Sequence, residues 1–294
     1  TVHGNFAYNL PTFTPDAVTL KNGGRLATTS AGPNWSSNAG VTVDETGGAI
    51  GSVYGGTLSL QLAFTGGPLT IDHSSLDFTG QASLSDFIVN SGNVRINSGA
   101  KLSNARYTVR GGTLTFNSGA IFNQTGRAPL SLTNATLRAG AEALTNMIVT
   151  MTGGTLAITN NSGILCETAN LENAVISGGT LLFDNDPNAD VCDKLAITGD
   201  AAEFHCSVQN PLILKLSSPM PYSGPRRSYE VLEFPAGIRA LTEADFDIST
   251  IVFDQPVNDG KYIVALRINR AGDGTQRVVI TKAFSHAGTT IIIK

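Results

Sequence analysis

Hydrophobic and polar positions alternate along this chain in short bursts, and four of those bursts open with the same tetrapeptide. Gly-Gly-Thr-Leu occurs at 55–58, 111–114, 153–156 and 178–181, continuing into alternating runs such as Ser59-Leu60-Gln61-Leu62 and Thr115-Phe116. A glycine pair lets the backbone turn through positive φ, and Thr-Leu-x-apolar fits a strand with one buried face. A turn-plus-strand unit of this kind cannot bury its apolar face alone, so its repetition predicts a solenoid. Leu58, Leu114, Leu156 and Leu181 are the predicted inward-facing positions.

A second repeat runs beside the first. Asn-Ser-Gly occurs at 90–92, 97–99, 117–119 and 161–163, and the pairs Gly99-Ala100 and Gly119-Ala120 are 20 residues apart. The last two Gly-Gly-Thr-Leu copies are 25 apart. Irregular coils of roughly 20–25 residues with several short strands each suit a parallel β-helix. Asn and Gly are the residues that best tolerate left-handed corners, and Asn side chains at successive corners are expected to stack. The fold expected is therefore all-β: a right-handed parallel β-helix with an N-terminal cap and a wider C-terminal β region.

Three segments follow from the changes in texture. Residues 1–45 lack the repeat and read as a cap or first coil, 46–198 as the repeat body, and 199–294 as wide final coils with a hairpin edge. Six or seven coils at about 4.8 Å each would make a rod of about 30 Å. In the last segment the strands lengthen, and Asn258-Asp259-Gly260 and Gly272-Asp273-Gly274 are tight-turn signals between apolar alternations. The nearest approach to a helical pattern is Leu241 to Phe246, about one turn.

Composition narrows the function classes. Only 14% of the 294 residues are charged, against about 25% in ordinary soluble domains. The net charge of −4 lacks the concentrated basic face a nucleic-acid partner requires. No apolar run approaches the roughly 18 residues of a membrane-spanning helix. The first residue is Thr1, so a processed precursor or a fragment is expected. Of the three cysteines, Cys192 and Cys206 are 14 apart, a spacing that one coil can bring into register as a disulfide.

The runs Asn117-Ser118-Gly119-Ala120-Ile121-Phe122 and Gly153-Gly154-Thr155-Leu156-Ala157-Ile158 resemble the autotransporter-associated β-strand repeats of passenger domains on bacterial surfaces. Tyr229-Glu230-Val231-Leu232-Glu233-Phe234, followed by Leu241 to Phe246, is similar to the closing segments of such β-helices. The resemblance covers about residues 50 to 270. It implies an extracellular or cell-surface location and supplies no catalytic residues.

Candidate chemistry is sparse. Asp184, Asp186, Asn188 and Asp190 place oxygen ligands at alternate positions, like the first half of a calcium loop, although Pro187 and Ala189 stand at the flexible positions and no bidentate Glu follows. Asp72-His73-Ser74-Ser75 holds the residue types of a hydrolase triad, but neighbours on a strand point to opposite faces. Lyases and hydrolases on β-helices need gathered carboxylates, and the body offers Asp72 with Asp86, or Glu142 with Glu167, as pairs about one coil apart. Arg95, Lys101 and Arg106, with Arg110 and Arg127, are a candidate basic stripe for an acidic glycan or a neighbouring subunit.

The function expected is that of a non-catalytic structural or adhesive surface protein, the alternative being a carbohydrate-active enzyme, a polysaccharide lyase or hydrolase. Self-association is expected through the aromatic N-terminal residues Phe6, Tyr8 and Phe13 and the β-branched Ile291, Ile292 and Ile293. Strand addition at the ends of a solenoid propagates head to tail into filaments. Glycans or a host surface are further expected partners. No cofactor is expected beyond the calcium site.

Overall fold

The computed structural model describes residues 2–3, 12–28, 34–35, 39–52, 56–123, 125–158, 167–255 and 261–284. The chain is all-β, with parallel coils stacked into a β-solenoid of about seven turns. It divides into two compact units, Thr1–Leu156 and Ala157–Lys294. The expected boundary near 198 falls inside the second unit, because parallel pairing runs past it: Thr180–Phe183 lies in register with Ile213–Leu216, and Leu195 with Leu232.

Among the described residues of the first unit the strands pair in parallel, coil against coil. One lane of inward residues runs Leu26, Ile50, Ile71, Val89, Val109, Leu132 and Met151, each opposite the next. All seven are buried. A second lane runs Leu58, Leu76, Val94, Leu114 and Leu137. Parallel strands covered on their inner side in this way account for the alternation in the sequence, since successive side chains point to opposite faces. The predicted inward leucines Leu58, Leu114, Leu156 and Leu181 are all at most 1% exposed. Rings of Phe64, Phe78, Phe87, Tyr107, Phe116 and Phe122 form a chain through this core with centroid separations of 5.5 to 6.4 Å. The Phe78–Phe87 and Tyr107–Phe116 pairs meet edge to face and the others are tilted, contacts that add to simple burial.

The glycine pairs serve the corners for two reasons. Gly112 and Gly154 have φ of 69° and 75°. A Cβ on Gly112 would lie 2.1 Å from Gly92 O, and one on Gly154 would lie 2.3 Å from Ala135 O, so the preceding coil leaves no room for one. The Asn corners stack as expected at one rung, where Asn117 Nδ2 donates to Asn97 Oδ1 at 2.6 Å. A four-residue α-helix, Ala141–Leu144, replaces a corner between the strands Thr136–Ala139 and Met147–Met151.

The second unit starts with parallel rungs and ends with antiparallel ones. Thr168–Leu171 pairs with Lys194–Ile197 in parallel, and Lys194–Ile197 with Ser228–Phe234 in parallel. On its other side Ser228–Phe234 pairs antiparallel with Gln276–Phe284, which forms a hairpin with Tyr262–Arg270. Its turn is the expected one: Gly274 at φ 87° donates to Ala271 O at 3.0 Å, and Ala271 N–H closes on Thr275 O at 2.9 Å. The wide coils and hairpin edge match the sequence expectation for this region. The one-turn segment is a 3₁₀ helix, Glu243–Asp245, capped reciprocally by Thr242 and Asp245.

Candidate functional site

The carboxylates of the repeat body are held between coils. Asp77 lies in register with Arg95, and the two form a two-pronged ion pair, Nε to Oδ1 at 2.5 Å and Nη2 to Oδ2 at 3.0 Å. That hydrogen bond and charge raise the Arg95 pKa further. Asp86, 2% exposed, accepts Arg106 Nε at 2.9 Å and the Thr108 hydroxyl at 3.1 and 3.0 Å. Asp72 accepts the Ser91 hydroxyl at 2.5 Å and stands 3.6 Å from Arg25 Nη2. Ser75 Oγ accepts the Thr57 hydroxyl at 3.3 Å, and the hydroxyls of Thr133 and Thr152 meet at 3.5 Å.

This geometry redistributes the sequence candidates. Asp72 faces Ser91 while Asp86 sits at a corner against Arg106, so these two carboxylates do not stack. The basic residues also part: Arg95 belongs to the strand Phe87–Ile96, Lys101 to a different sheet opposite Gln81 and Ile121, and Arg106 to the turn before Tyr107. Arg110 is exposed, and Arg127 Nε donates to Thr145 O at 2.9 Å. Within Asp72-His73-Ser74-Ser75, the His73 ring turns into the core with its Nδ1 accepting the Ser75 N–H, while Ser74 Oγ donates to Gly56 O at 3.1 Å. The elements thus give each of these side chains a separate task in joining coils.

A cluster the sequence did not reveal lies in the second unit. Lys194 Nζ donates to Glu230 Oε1 and Glu233 Oε2, both at 2.5 Å, and Arg277 Nε stands 3.7 and 3.4 Å from the same oxygens. On a regular strand, residues three apart point to opposite faces. A register shift between Glu230 and Leu232 brings both glutamates to one side, and nothing in the sequence announces that bulge. The paired carboxylates raise the Lys194 pKa against the opposing effect of burial.

The expected calcium ligands fall on a small hairpin, Asn185–Asp186 against Val191–Cys192. Asp186 Oδ1 accepts the N–H groups of Asn188 and Ala189 at 2.8 and 3.3 Å. Asp190, at φ 58°, pairs with Arg227 Nη1 at 3.0 Å. Asp184 contributes its carbonyl to the Asp193 N–H at 2.8 Å. Among the described residues no three His, Cys, Asp or Glu side chains gather as a metal-binding group. Asp193 itself is fully buried, and its Oδ2 has no hydrogen-bond partner among the described residues. Burial, with Asp184 and Glu167 nearby, pushes its carboxyl up to about 6.

The expected Cys192–Cys206 disulfide is not formed, and both side chains are buried. Cys192 belongs to the acidic hairpin, whereas Cys206 follows Glu203–Phe204 and its thiol points to Ile176 O at 3.8 Å. Burial pushes that thiol up to about 11, which leaves it an inert core group. Of the candidate assembly residues, Phe13 is 56% exposed. Phe6, Tyr8, Ile291, Ile292 and Ile293 lie outside the described residues. An open apolar groove in the second unit is lined by Ile251, Val252, Phe253, Tyr262, Ile263 and Val264. No protein-family model matches the chain, and no curated protein matches it.

Proposed function

We propose that this chain is a non-catalytic structural or adhesive protein of the bacterial surface, built like an autotransporter passenger and self-associating through its ends. One observation carries the reading. In the repeat body Asp72, Asp77 and Asp86 each bind a hydroxyl or guanidinium of a residue more than ten positions away in sequence, so their charge ties one coil to another. Acid–base catalysis on a glycan requires carboxylates converging on an open cleft. The polar rungs of Thr57 with Ser75 and of Asn97 with Asn117 equally serve coil-to-coil cohesion.

The test is assembly and turnover measured together. Negative-stain microscopy and light scattering of the concentrated full chain are expected to show end-to-end polymers, and deletion of residues 291–294 to shorten them. Monodisperse monomer at every concentration would remove the self-association. A second reading, a carbohydrate-active enzyme, draws support from the Lys194, Glu230, Glu233 and Arg277 cluster. It requires release of new reducing ends or unsaturated products from acidic polysaccharides, abolished by Glu230→Gln with Glu233→Gln.

A further inference from the structure

His73 belongs to the strand Leu69–Phe78 and is 2% exposed. The alternation of buried positions there runs 69, 71, 73 and then 76, 78, so the strand bends at Ser74 and Ser75. The neighbouring strand Phe87–Ile96 follows that bend with register shifts between Val89 and Ser91 and between Ser91 and Asn93. At the bend, His73 Nδ1 accepts the Ser75 N–H at 3.2 Å. A ring nitrogen that accepts a hydrogen bond carries a lone pair and no proton, so the fold uses the neutral imidazole with its hydrogen on Nε2.

Among the described residues, the charged groups on the strands around this ring are these. Arg25 is the one charged residue on Gly24–Thr28, and its guanidinium reaches Asp72, both at the carboxylate and at the carbonyl 3.4 Å away. The Asp72 carboxylate is held by Ser91 as well. Farther along, Asp77 and Arg95 neutralise each other. The strands Gly48–Ser52 and Thr57–Leu60 carry no charged side chain. Protonation at Nδ1 would therefore break the Ser75 bond and place a cation in a buried position within electrostatic reach of Arg25.

We propose that His73 is an acid-sensitive pin of the first unit: proton uptake at mildly acidic pH removes the Ser75 bond, opens the bend and loosens the coils that pair with it. Burial, with Arg25 adding to it, holds the imidazole below its ordinary value of 6.5. The sign follows. Below pH 6.5 the unfolded or opened chain takes up a proton that the closed form refuses, so the stabilisation is complete above that pH and is lost as pH falls below it. The population of the open form rises by at most tenfold per pH unit, or about thirtyfold by pH 5.

The experiment is hydrogen exchange of the full chain at about pH 7.5 and about pH 5, corrected for intrinsic chemical exchange. Peptides covering 69–78 and 87–96 are expected to lose protection by up to about thirtyfold. In His73→Asn the amide oxygen replaces Nδ1 as the acceptor and cannot titrate, so its protection is expected to be equal at both pH values. Unchanged protection in the natural chain, or an equal loss in His73→Asn, overturns the proposal. Should that variant not fold, NMR titration of the His73 ring in the natural chain decides: a midpoint below 6.5 with the proton on Nε2 supports the pin. A midpoint at or above 6.5, or a proton on Nδ1 at neutral pH, overturns it.

Discussion

The two units solve the same stacking problem at different coil lengths. In the first, the step from one rung to the next ranges from 18 residues, Ala63 to Gln81, to 25, Asn34 to Ser59. In the second it ranges from 26, Thr168 to Lys194, to 37, Leu195 to Leu232. Short coils leave little backbone between strands, and the glycine and asparagine corners satisfy what there is. Long coils carry loops whose N–H and C=O groups find no opposite rung, and buried polar side chains take over. Gln276 accepts the Leu241 N–H at 2.8 Å and donates to Ile238 O and Arg239 O. Lys282 Nζ donates to Tyr222 O and to Gly224 O, with the Tyr262 ring 4.3 Å away. Asn185 Oδ1 accepts the Ser218 N–H, and Asp193 Oδ1 the Glu167 N–H, both at 2.8 Å. Regular stacking is thus held by apolar lanes, and irregular stacking by side chains doing the work of missing backbone, because a buried polar group without a partner costs about 1–3 kcal/mol.

The strongest way to break this contrast is to interrupt the aromatic chain of the first unit. Phe87→Ala is expected to cost about 3–5 kcal/mol, read by denaturant unfolding with exchange protection lost first in 69–116. In the second unit the matching lesion is polar: Gln276→Leu keeps an apolar body of similar size but strands one N–H and two carbonyls. A loss of about 2–4 kcal/mol is expected, and a neutral result would mean that these loop groups have other partners.

A third change sharpens the comparison through pH. The Asp193 carboxyl titrates at 3.8 when free and near 6 when folded. Between those values the folded state holds the extra proton, so stability falls as pH rises through that window and stays reduced above it. Asp193→Asn is expected to stabilise the second unit by about 1–3 kcal/mol at pH 7 and by almost nothing near pH 4. Melting curves at the two pH values check both parts. The response is opposite in direction to that of His73. The smallest effect is expected at Tyr107, whose hydroxyl is buried without a hydrogen-bond partner among the described residues. Tyr107→Phe should raise stability by about 0.5–1 kcal/mol, visible as a small upward shift in Tm.

The regular part of the fold was legible because its causes are local. Gly-Gly-Thr-Leu encodes a positive-φ corner and the inward leucine after it, and 0% exposure of Leu58 and Leu114 follows from that pattern alone. The one-turn pattern at Leu241 to Phe246 was visible too, and the structure adds the reciprocal cap of Thr242 and Asp245. The helix Ala141–Leu144 was signalled only by four good helix formers, a weak prior inside a repeat of strands. The candidate sites were less legible because their geometry depends on register between distant residues. Whether Asp77 meets Arg95 or Asp86 meets Thr108 is decided by coil length, and the meeting of Glu230 and Glu233 on Lys194 by a single bulge.

The strand Ser228–Phe234 faces two directions at once, parallel to Lys194–Ile197 on one side and antiparallel to Gln276–Phe284 on the other. A parallel ladder is an open sequence: any coil presents the same edge that it received, so insertion or loss of a whole coil leaves its neighbours in register. An antiparallel partner reverses the chain and consumes that edge without reproducing it. The hairpin therefore acts as punctuation, fixing where this ladder stops while leaving the number of coils before it free to drift by duplication or deletion. A whole coil is therefore easier to accommodate among parallel rungs than at the edge the hairpin has closed.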